Sequence, residues 1–341
     1  MNVSTVFLDV NPMMEQPPEK ISVVIPCYNA SGYLAESLQA LNRQSVVRAR
    51  YEVIVVDDGS TDDTFQVAEP LCDKCIRTTN RGPAAARNTG VNESSGSLIL
   101  FTDADCIPQP DWIEKMIAPF DNPDIVGVKG AYRTRQTRLV ARFVQAEYEV
   151  KYARMAKQSF IDFIDTYSAG FRRDIFLELG GFDERYPGAS VEDQEFSFRV
   201  AEAGYKMVFM PDAIVTHRHA ETLRHYFRKK MNIGYWKTMV LKRHPTKMVH
   251  DSHTPQLLKL QLPLAFLMVV TLLVKPWITW IPVIGTTGVF LICGFPEILH
   301  CYKRYGLMQA VSSPIIMWVR SIGLGLGLLR GILFSVGQSG P

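Results

Sequence analysis

The stretch Leu98-Ile-Leu-Phe-Thr-Asp-Ala-Asp-Cys106 narrows the folds open to this chain more than any other. Four apolar residues run into Asp103-Ala104-Asp105, and Pro108 and Pro110 close the segment. The pattern predicts a buried strand that ends in an acidic turn. Two carboxylates one residue apart at a strand end oppose folding, because like charges repel and a covered carboxylate loses its hydration. A hard divalent cation, Mg2+ or Mn2+, relieves both problems: it takes oxygen ligands and bridges them to substrate phosphates. An isolated Asp-x-Asp is also an ordinary turn, so the flanking chain decides the reading.

Ile21-Ser-Val-Val-Ile-Pro-Cys-Tyr-Asn29 is a first strand, apolar on both faces as a strand inside a parallel sheet requires. An amphipathic helix is expected over residues 30–44, with Leu34, Leu38 and Leu41 at helical spacing. A second strand over 51–56 runs into Asp57-Asp58-Gly-Ser-Thr-Asp-Asp-Thr64, where Ser60, Thr61 and Asp62 are good helix N-caps. Strand and helix in alternation predict right-handed βαβ units. The fold class is therefore α/β: a doubly wound, mostly parallel sheet with helices on both faces. Such sheets bind ligands beyond the carboxyl ends of their strands. Asn29, Asp57 with Asp58, and Asp103 with Asp105 should then look into one crevice.

Between these acidic turns lies Asn80-Arg-Gly-Pro-Ala-Ala-Ala-Arg-Asn-Thr-Gly90. Gly82 and Pro83 open a helix, and Arg81 and Arg87 flank it. A helix N-terminus beside arginine offers an anion site through free amides, dipole and guanidinium. The competing reading is a solvated surface helix with ordinary arginines.

The 341 residues allow two average domains, or one large domain with an appendage. A formal charge of +3 excludes a whole-protein nucleic-acid footprint, so no nucleic acid is expected as a partner. Cys72-x-x-Cys75 lacks the second ligand pair that a zinc site requires, and the six scattered cysteines read as reduced thiols of a cytosolic protein. Residues 1–20, with Pro12, Pro17 and Pro18, read as a flexible tail and not as a signal peptide.

Pro26-Cys-Tyr-Asn29, Val56-Asp-Asp-Gly-Ser-Thr-Asp62, the Arg81–Gly90 segment, Asp103-x-Asp105, Gly180-Gly-Phe-Asp-Glu184 and Glu192-Asp193 follow one another in a familiar order and spacing. In this the chain resembles the family 2 glycosyltransferases over residues 21–234. The resemblance implies a GT-A fold that takes a nucleotide-sugar and a divalent metal and inverts the anomeric carbon. By that resemblance Pro26, Tyr28, Asn29, Asp57 and Asp58 lie at the nucleotide, with the aspartates at a pyrimidine ring. Arg81 and Arg87 lie near the nucleotide and its phosphates. Asp105 is the metal ligand, and Asp103 contacts the ribose or the metal's water shell. Such a cation stabilises the charge that develops on a leaving nucleoside diphosphate.

Ser190–Gly204 is a second chemical centre. Glu192, Asp193 and Glu195 fall in the first turn of a helix, where the dipole favours them. Dipole complement alone does not account for three acids together. Inversion by direct displacement needs one base for the acceptor hydroxyl's proton, and by resemblance Asp193 is that base, with Glu192 as its rival. His217, at the end of a last short strand over 211–219, is a candidate third metal ligand because some relatives place a histidine there. A surface structural histidine is the alternative.

The C-terminal third is apolar. Residues 257–274 and 277–295 are each about the length of a bilayer-spanning helix and read as a tight hairpin. A third apolar run, 311–336, is interrupted by Arg320 and Arg330. It reads as a further span, the alternative being an interfacial helix. Gly323, Gly327 and Gly331 form a small-xxx-small stripe, expected to mediate a helix-packed oligomer. Lys242, Arg243 and Lys247 precede the hairpin and Lys303 and Arg304 follow it, so the positive-inside rule puts the enzyme on the cytosolic side of the membrane. The expected domains are a tail (1–20), a GT-A catalytic domain (21–235), a basic juxtamembrane linker (236–256) and a membrane region (257–341).

The reading that follows is a membrane-anchored, non-processive inverting glycosyltransferase. Its expected partners are a nucleotide-sugar donor, UDP-linked as first choice, a lipid-linked or glycan acceptor, and membrane lipid. A processive polysaccharide synthase is a poorer match, because Gln-x-x-Arg-Trp is missing from the sequence. A non-catalytic nucleotide-sugar-binding membrane protein is opposed by the filled acidic positions. A transport component is opposed by the few spans and by the expected lack of a buried acid between them.

Overall fold

The computed structural model describes residues 20–186, 188, 190–248, 252, 254, 256–274 and 280–334. The expected tail before Lys20, the tip of the hairpin at 275–279 and the end of the third apolar run lie outside the described residues.

The strands are β1 (Ile21–Cys27), β2 (Tyr51–Asp57), β3 (Lys74–Arg77), β4 (Leu98–Phe101), β5 (Ile107–Pro108), β6 (Ile125–Arg133), β7 (Ala169–Arg172) and β8 (Lys206–Thr216). They form one sheet in the order β3-β2-β1-β4-β7-β6-β8-β5. The first four strands are parallel, as the alternating pattern predicts. Beyond β4 the sheet is mixed: β7 runs antiparallel to β4 and β6, while β6 and β8 are parallel and β5 is antiparallel to β8. The expected mostly parallel sheet is therefore a mixed one. β7 enters between β4 and β6 by a long excursion, and such a return needs no crossover of fixed hand.

The helices are α1 (Leu34–Leu41), α2 (Thr64–Ala68), α3 (Pro83–Asn92), α4 (Trp112–Ile117), α5 (Leu139–Met155), α6 (Arg173–Glu178), α7 (Glu192–Glu202) and α8 (Leu223–Arg243), then α9 (Gln256–Val274), α10 (Ile281–Tyr305) and α11 (Leu307–Phe334). Strand alternation sorts the core into two layers. Val23, Ile25, Val53 and Val55 face α1 and α4, burying Leu34, Leu38, Leu41 and Trp112. Val24, Ile54, Val56, Ile99 and Phe101 face α3, α6 and α7, burying Ala84, Phe176, Phe182 and Phe196. A Cβ at Gly90 would collide with the Val24 side chain, so this glycine sets how closely α3 approaches β1.

α9, α10 and α11 are each long and apolar enough to cross a membrane. Large apolar side chains, among them Leu273, Ile281, Ile292 and Met308, are exposed on their outer surface. α8 runs as one helix through the expected boundary at residue 235, so the basic run belongs to it and not to a linker. α8 also takes up the glycine stripe. Added Cβ atoms at Gly323, Gly327 and Gly331 would strike Phe227, Met231 and Thr238 of α8, and one at Gly234 would strike the Leu324 carbonyl. The small-residue contact expected between copies is thus made inside the chain, which leaves that face no room for an oligomer partner.

A third core joins α5 and α8 to the apolar helices through Phe143, Tyr226, Ala265, Phe290 and Met317. A buried acid does lie between the apolar helices, against expectation. Glu297 of α10 pairs with Arg320 of α11 at 2.9 and 3.0 Å, and Arg320 also reaches Gln261 of α9 at 2.7 Å. Arg320 is fully buried, so it is a bundle residue and does not sit at a headgroup. The pair cancels its own charge, which leaves no lone carboxylate of the kind an ion pathway uses.

Candidate active site

β1 pairs in parallel with both β2 and β4, so their carboxyl ends open on one rim. A cleft of about 540 Å³ lies there, lined by Pro26, Tyr28, Asp58, Arg87, Asp103, Asp105 and His217, with Asn80 and Lys229 added. Seven of the residues singled out in the sequence thus meet on one wall.

Asn29, Asp57 and Arg81 do not line it. Asn29 adopts a left-handed backbone (φ 50°), and its side-chain Oδ1 accepts the Thr61 amide at 2.9 Å. It ties the end of β1 to the turn after β2. Asp57 is wholly buried; one oxygen accepts the Ser60 amide at 2.9 Å and the other lies 3.5 Å from Arg77 Nε. The Arg81 side chain turns outward, 3.6 Å from Glu184. These three shape the rim without facing the cleft.

The anion site expected at the start of α3 is already filled. The Asp58 carboxylate accepts the amides of Arg81 at 2.9 Å and Gly82 at 2.8 Å. A helix N-terminus takes whichever anion is nearest, and here that anion belongs to the chain. Gly82, at φ 95°, supplies the left-handed turn that presents these amides.

Arg87 is buried under the cleft, not exposed for phosphates. Its Nη2 donates to Asp103 at 2.8 Å and its Nη1 to Glu192 at 3.0 Å. One guanidinium therefore joins the strand-end acid to the first turn of α7. The second oxygen of Glu192 accepts the Ser190 amide at 2.9 Å. Among the described residues no cation bonds to Asp193 beside it; one of its oxygens accepts the Gln194 amide at 2.7 Å. Burial, then the charges of Glu192 and Asp165, pushes the Asp193 carboxyl well above the usual aspartate range, with Arg87 opposing. Of the two rivals, Glu192 is held by Arg87 and the Ser190 amide, whereas Asp193 accepts only the neighbouring Gln194 amide among the described residues.

Asp193 lines a second pocket of about 180 Å³ with Tyr132, Tyr148, Asp165 and Tyr167. Arg87, Asp103, His217 and Lys229 wall both spaces, so the two are neighbours across one partition. Beneath the smaller pocket, buried Lys129 bonds to Asp165 and to the Tyr167 hydroxyl, which lies 2.7 Å from that of Tyr152.

Asp105 and His217 meet at the partition, with Asp105 Oδ2 3.3 Å from His217 Nδ1. That nitrogen is buried, and among the described residues the Asp105 carboxylate is the polar group facing it, at a geometry short of a well-formed hydrogen bond. Burial alone would raise the Asp105 carboxyl, but the His217 ring, with Lys229 behind it, outweighs burial and holds it below the ordinary range. Ligand atoms of Asp105, Cys106 and His217 lie within 4.8 Å of one another. Burial, then Asp103 and Asp105, pushes the Cys106 thiol well up, so it stays protonated and is a poor ligand. The oxygen and nitrogen left suit Mn2+ or Mg2+ with substrate oxygens completing the shell. Asp105 and His217 fit a divalent cation, whereas Asp103, also expected at the metal, is bonded to Arg87 and lies outside this cluster.

The sequence reading missed Lys229, Lys129 and Asp165. Lys129 stands alone in the apolar run Ile125–Tyr132, an out-of-pattern charge that was readable in principle. Lys229 was hidden in a basic run that reads equally well as a membrane-facing stretch.

The description "Glycosyl transferase family 2" matches residues 22–180. The chain is 29% identical over 227 residues to the glycosyltransferase AglE of Haloferax volcanii, covering 63% of this chain and 71% of that one. It is 30% identical over 235 residues to the probable glycosyltransferase YdaM of Bacillus subtilis, covering 64% and 54%. A pre-mycofactocin glycosyltransferase of Mycobacterium tuberculosis is 29% identical over 263 residues, covering 72% and 53%. The chain thus spans about half the length of two of these relatives. Among solved structures, the mannosyltransferase PcManGT of Pyrobaculum calidifontis, in complex with GDP-Man and Mn2+, superposes with a TM-score of 0.56 at 17% identity, covering 95% of this chain and 89% of that one. From the ordered motifs, the common rim of β1, β2 and β4, and these matches, residues 22–180 are a family 2 glycosyltransferase segment, and the fold that carries it is GT-A.

Proposed function

We propose that the chain transfers a sugar from a nucleotide-sugar to a hydroxyl of a membrane-associated lipid or glycan, with inversion. One observation supports the reading: Asp193 lines a pocket that shares Arg87, Asp103, His217 and Lys229 with the donor cleft, and burial with the Glu192 charge pushes its carboxyl up. Tyr28, half exposed at the rim, offers its ring to the base, and Pro26 and Asn80 bound the same end of the cleft. A cation held by Asp105 and His217 would act as a Lewis acid on the diphosphate. Lys229 adds a second positive charge to that wall. Asp193 takes the proton as the acceptor oxygen attacks the anomeric carbon and the bond to the diphosphate breaks. Arg87 holds Glu192 and Asp103 in place, so Glu192 orients the base and does not replace it.

The three apolar helices are proposed as the membrane anchor, with the catalytic domain on the cytosolic side by the lysine and arginine flanks. The donor of first choice is UDP-linked. The GDP-Man bound by PcManGT supplies the second arm of the test. The experiment offers a panel of UDP- and GDP-sugars to the purified full-length chain with Mn2+ and reads nucleotide release by mass spectrometry. One donor should be turned over, and chelation should abolish the signal. Donor binding without turnover on any acceptor preparation favours the non-catalytic binder, and no donor binding ends the proposal.

A further inference from the structure

The Asp193 pocket offers more hydrogen-bonding groups than the described chain satisfies. Gln194, next to the base, is 4% exposed and lines the pocket, and its Nε2 has no hydrogen-bond partner among the described residues. Ser190 lines the same pocket, and its buried Oγ is likewise unpartnered among them. Asp165, 7% exposed, accepts from Lys129 Nζ and, at 3.1 Å, from the Tyr167 hydroxyl, both on Oδ2. Its Oδ1 accepts no bond among the described residues. A buried polar group without a partner costs stability, so each such group needs a reason, and a ligand that completes it is one.

The rest of the lining includes an aromatic block. Tyr132, Tyr148 and Tyr167 all line the pocket, with the Tyr132 ring 4.4 Å from that of Tyr148 and 4.1 Å from that of Tyr167. Aromatic rings beside spare donors and acceptors suit a ligand with C–H groups on its faces and hydroxyls around its rim, which is the make-up of a sugar ring. A lone alcohol would meet Asp193 and leave Gln194 and Asp165 unpaired.

We infer that this pocket takes a sugar ring, that Asp165 and Gln194 select it, and that the acceptor is therefore itself a glycoside. The inference rests on the glycosyltransferase reading above and names its acceptor class. The attacked hydroxyl lies at Asp193, a second hydroxyl donates to Asp165 Oδ1, and a third accepts from Gln194 Nε2. Lys129, fully buried, is a positioning residue: it holds Oδ2 and leaves Oδ1 for the ligand. In the transfer, the acceptor oxygen bonds to the anomeric carbon and the carbon–oxygen bond to the nucleoside diphosphate breaks. The electron pair leaves with that diphosphate, and the hydroxyl proton goes to Asp193. The product is a glycosidic bond between two sugars, so an earlier glycosyl transfer must supply the acceptor.

The test uses the full-length chain in phosphatidylcholine nanodiscs with Mn2+, a panel of UDP- and GDP-sugars, and acceptors that differ only in the head. These are hexyl hexosides, their monodeoxy analogues, hexanol and hexyl phosphate, with the product read by mass spectrometry. At least one hexoside should gain a sugar, and hexanol and hexyl phosphate should not. Loss of the hydroxyl that meets Gln194 or Asp165 should lower use by about tenfold or more, because a site built to bond a hydroxyl rejects the analogue without it. Gln194→Leu should raise the hexoside KM about tenfold with little change in kcat, and should close the gap between the hexoside and one monodeoxy analogue. Its unfolding midpoint should hold or rise; a fall means the amide is already spent within the fold and overturns its assignment. Asp165→Asn with Lys129→Met, which strands no buried charge, should close the gap for a different hydroxyl. Equal transfer to hexanol or hexyl phosphate, or deoxy gaps that persist in both variants, overturns the inference. Calorimetry with UDP and GDP on the same preparation separates the two failures. If nucleotide binds and no hexoside is glycosylated, only the acceptor class falls; if nucleotide does not bind, the glycosyltransferase reading falls.

Discussion

Replacing Arg87 with methionine tests the link between the two halves of the site. The side chain is buried and donates to Asp103 and Glu192 at 2.8 and 3.0 Å. The two carboxylates are not equivalent: the Asp103 side chain is 31% exposed and can turn to water, whereas that of Glu192 is 3% exposed and cannot. The cost therefore falls on Glu192, left as a buried charge with only the Ser190 amide. Removing one member of a buried ion pair costs about 3–5 kcal/mol. At about 2–4 °C per kcal/mol for a domain of this size, the unfolding midpoint should fall by roughly 6–20 °C. Methionine fills most of the space, so cavity formation adds little. Circular dichroism melts of the detergent-solubilised chain would measure the fall. Adding Glu192→Gln to Arg87→Met should restore more than half of it, because the stranded charge is gone while the amide contact survives. A midpoint within about 2 °C of the parent, or no recovery in the double variant, would refute the bridge.

Asp193→Asn should lower turnover by roughly 10²–10⁴-fold, the usual general-base contribution, while donor affinity measured by calorimetry stays within a factor of three or so. Wild-type turnover in this variant, with loss in Glu192→Gln, would name the wrong carboxylate as base. The acid limb of the turnover–pH profile should lie above the range of an ordinary aspartate, because burial first and Glu192 second raise Asp193. Glu192→Gln removes the second cause and should move that limb to lower pH; a limb that stays put or rises contradicts the assignment. Asp105→Asn should weaken donor binding itself, and added Mn2+ should not recover it. Full donor binding in chelator would take the metal out of the mechanism. Gly327→Val places methyl groups against the Met231 carbonyl and the Tyr235 amide. It should destabilise the full chain by about 1–3 kcal/mol and open α8 and α11 to proteolysis; an unchanged cleavage pattern argues against the close packing of these helices.

Local patterns carried the catalytic core because its determinants are short in range. Four apolar residues before Asp103, the glycine and proline that open α3, and the acids in the first turn of α7 each specify a strand end or a helix start within a few residues. The rule that ligands gather beyond parallel strand ends then brought seven of the named residues to one cleft. Length and hydropathy were likewise enough for the three apolar helices, since a long run so poor in charge has few other uses. What remained hidden depends on which surfaces meet. In the sequence Arg87 reads as a phosphate neighbour or an ordinary surface arginine, and only the approach of α7 to α3 makes it a buried bridge. Asp58 is spent on two amides because β2 delivers it to the start of α3, a distance of more than twenty residues along the chain. The glycine stripe of α11 announced a close helix contact without naming the partner, which proved to be α8. The basic run of α8 faces both the donor cleft and the Asp193 pocket, because packing against α11 fixes its rotation. A sequence records charge and size at each position, but the partner of a charge across the fold is set by the docking of whole elements, and here that docking decides that Glu192, and not Asp193, is bonded to Arg87.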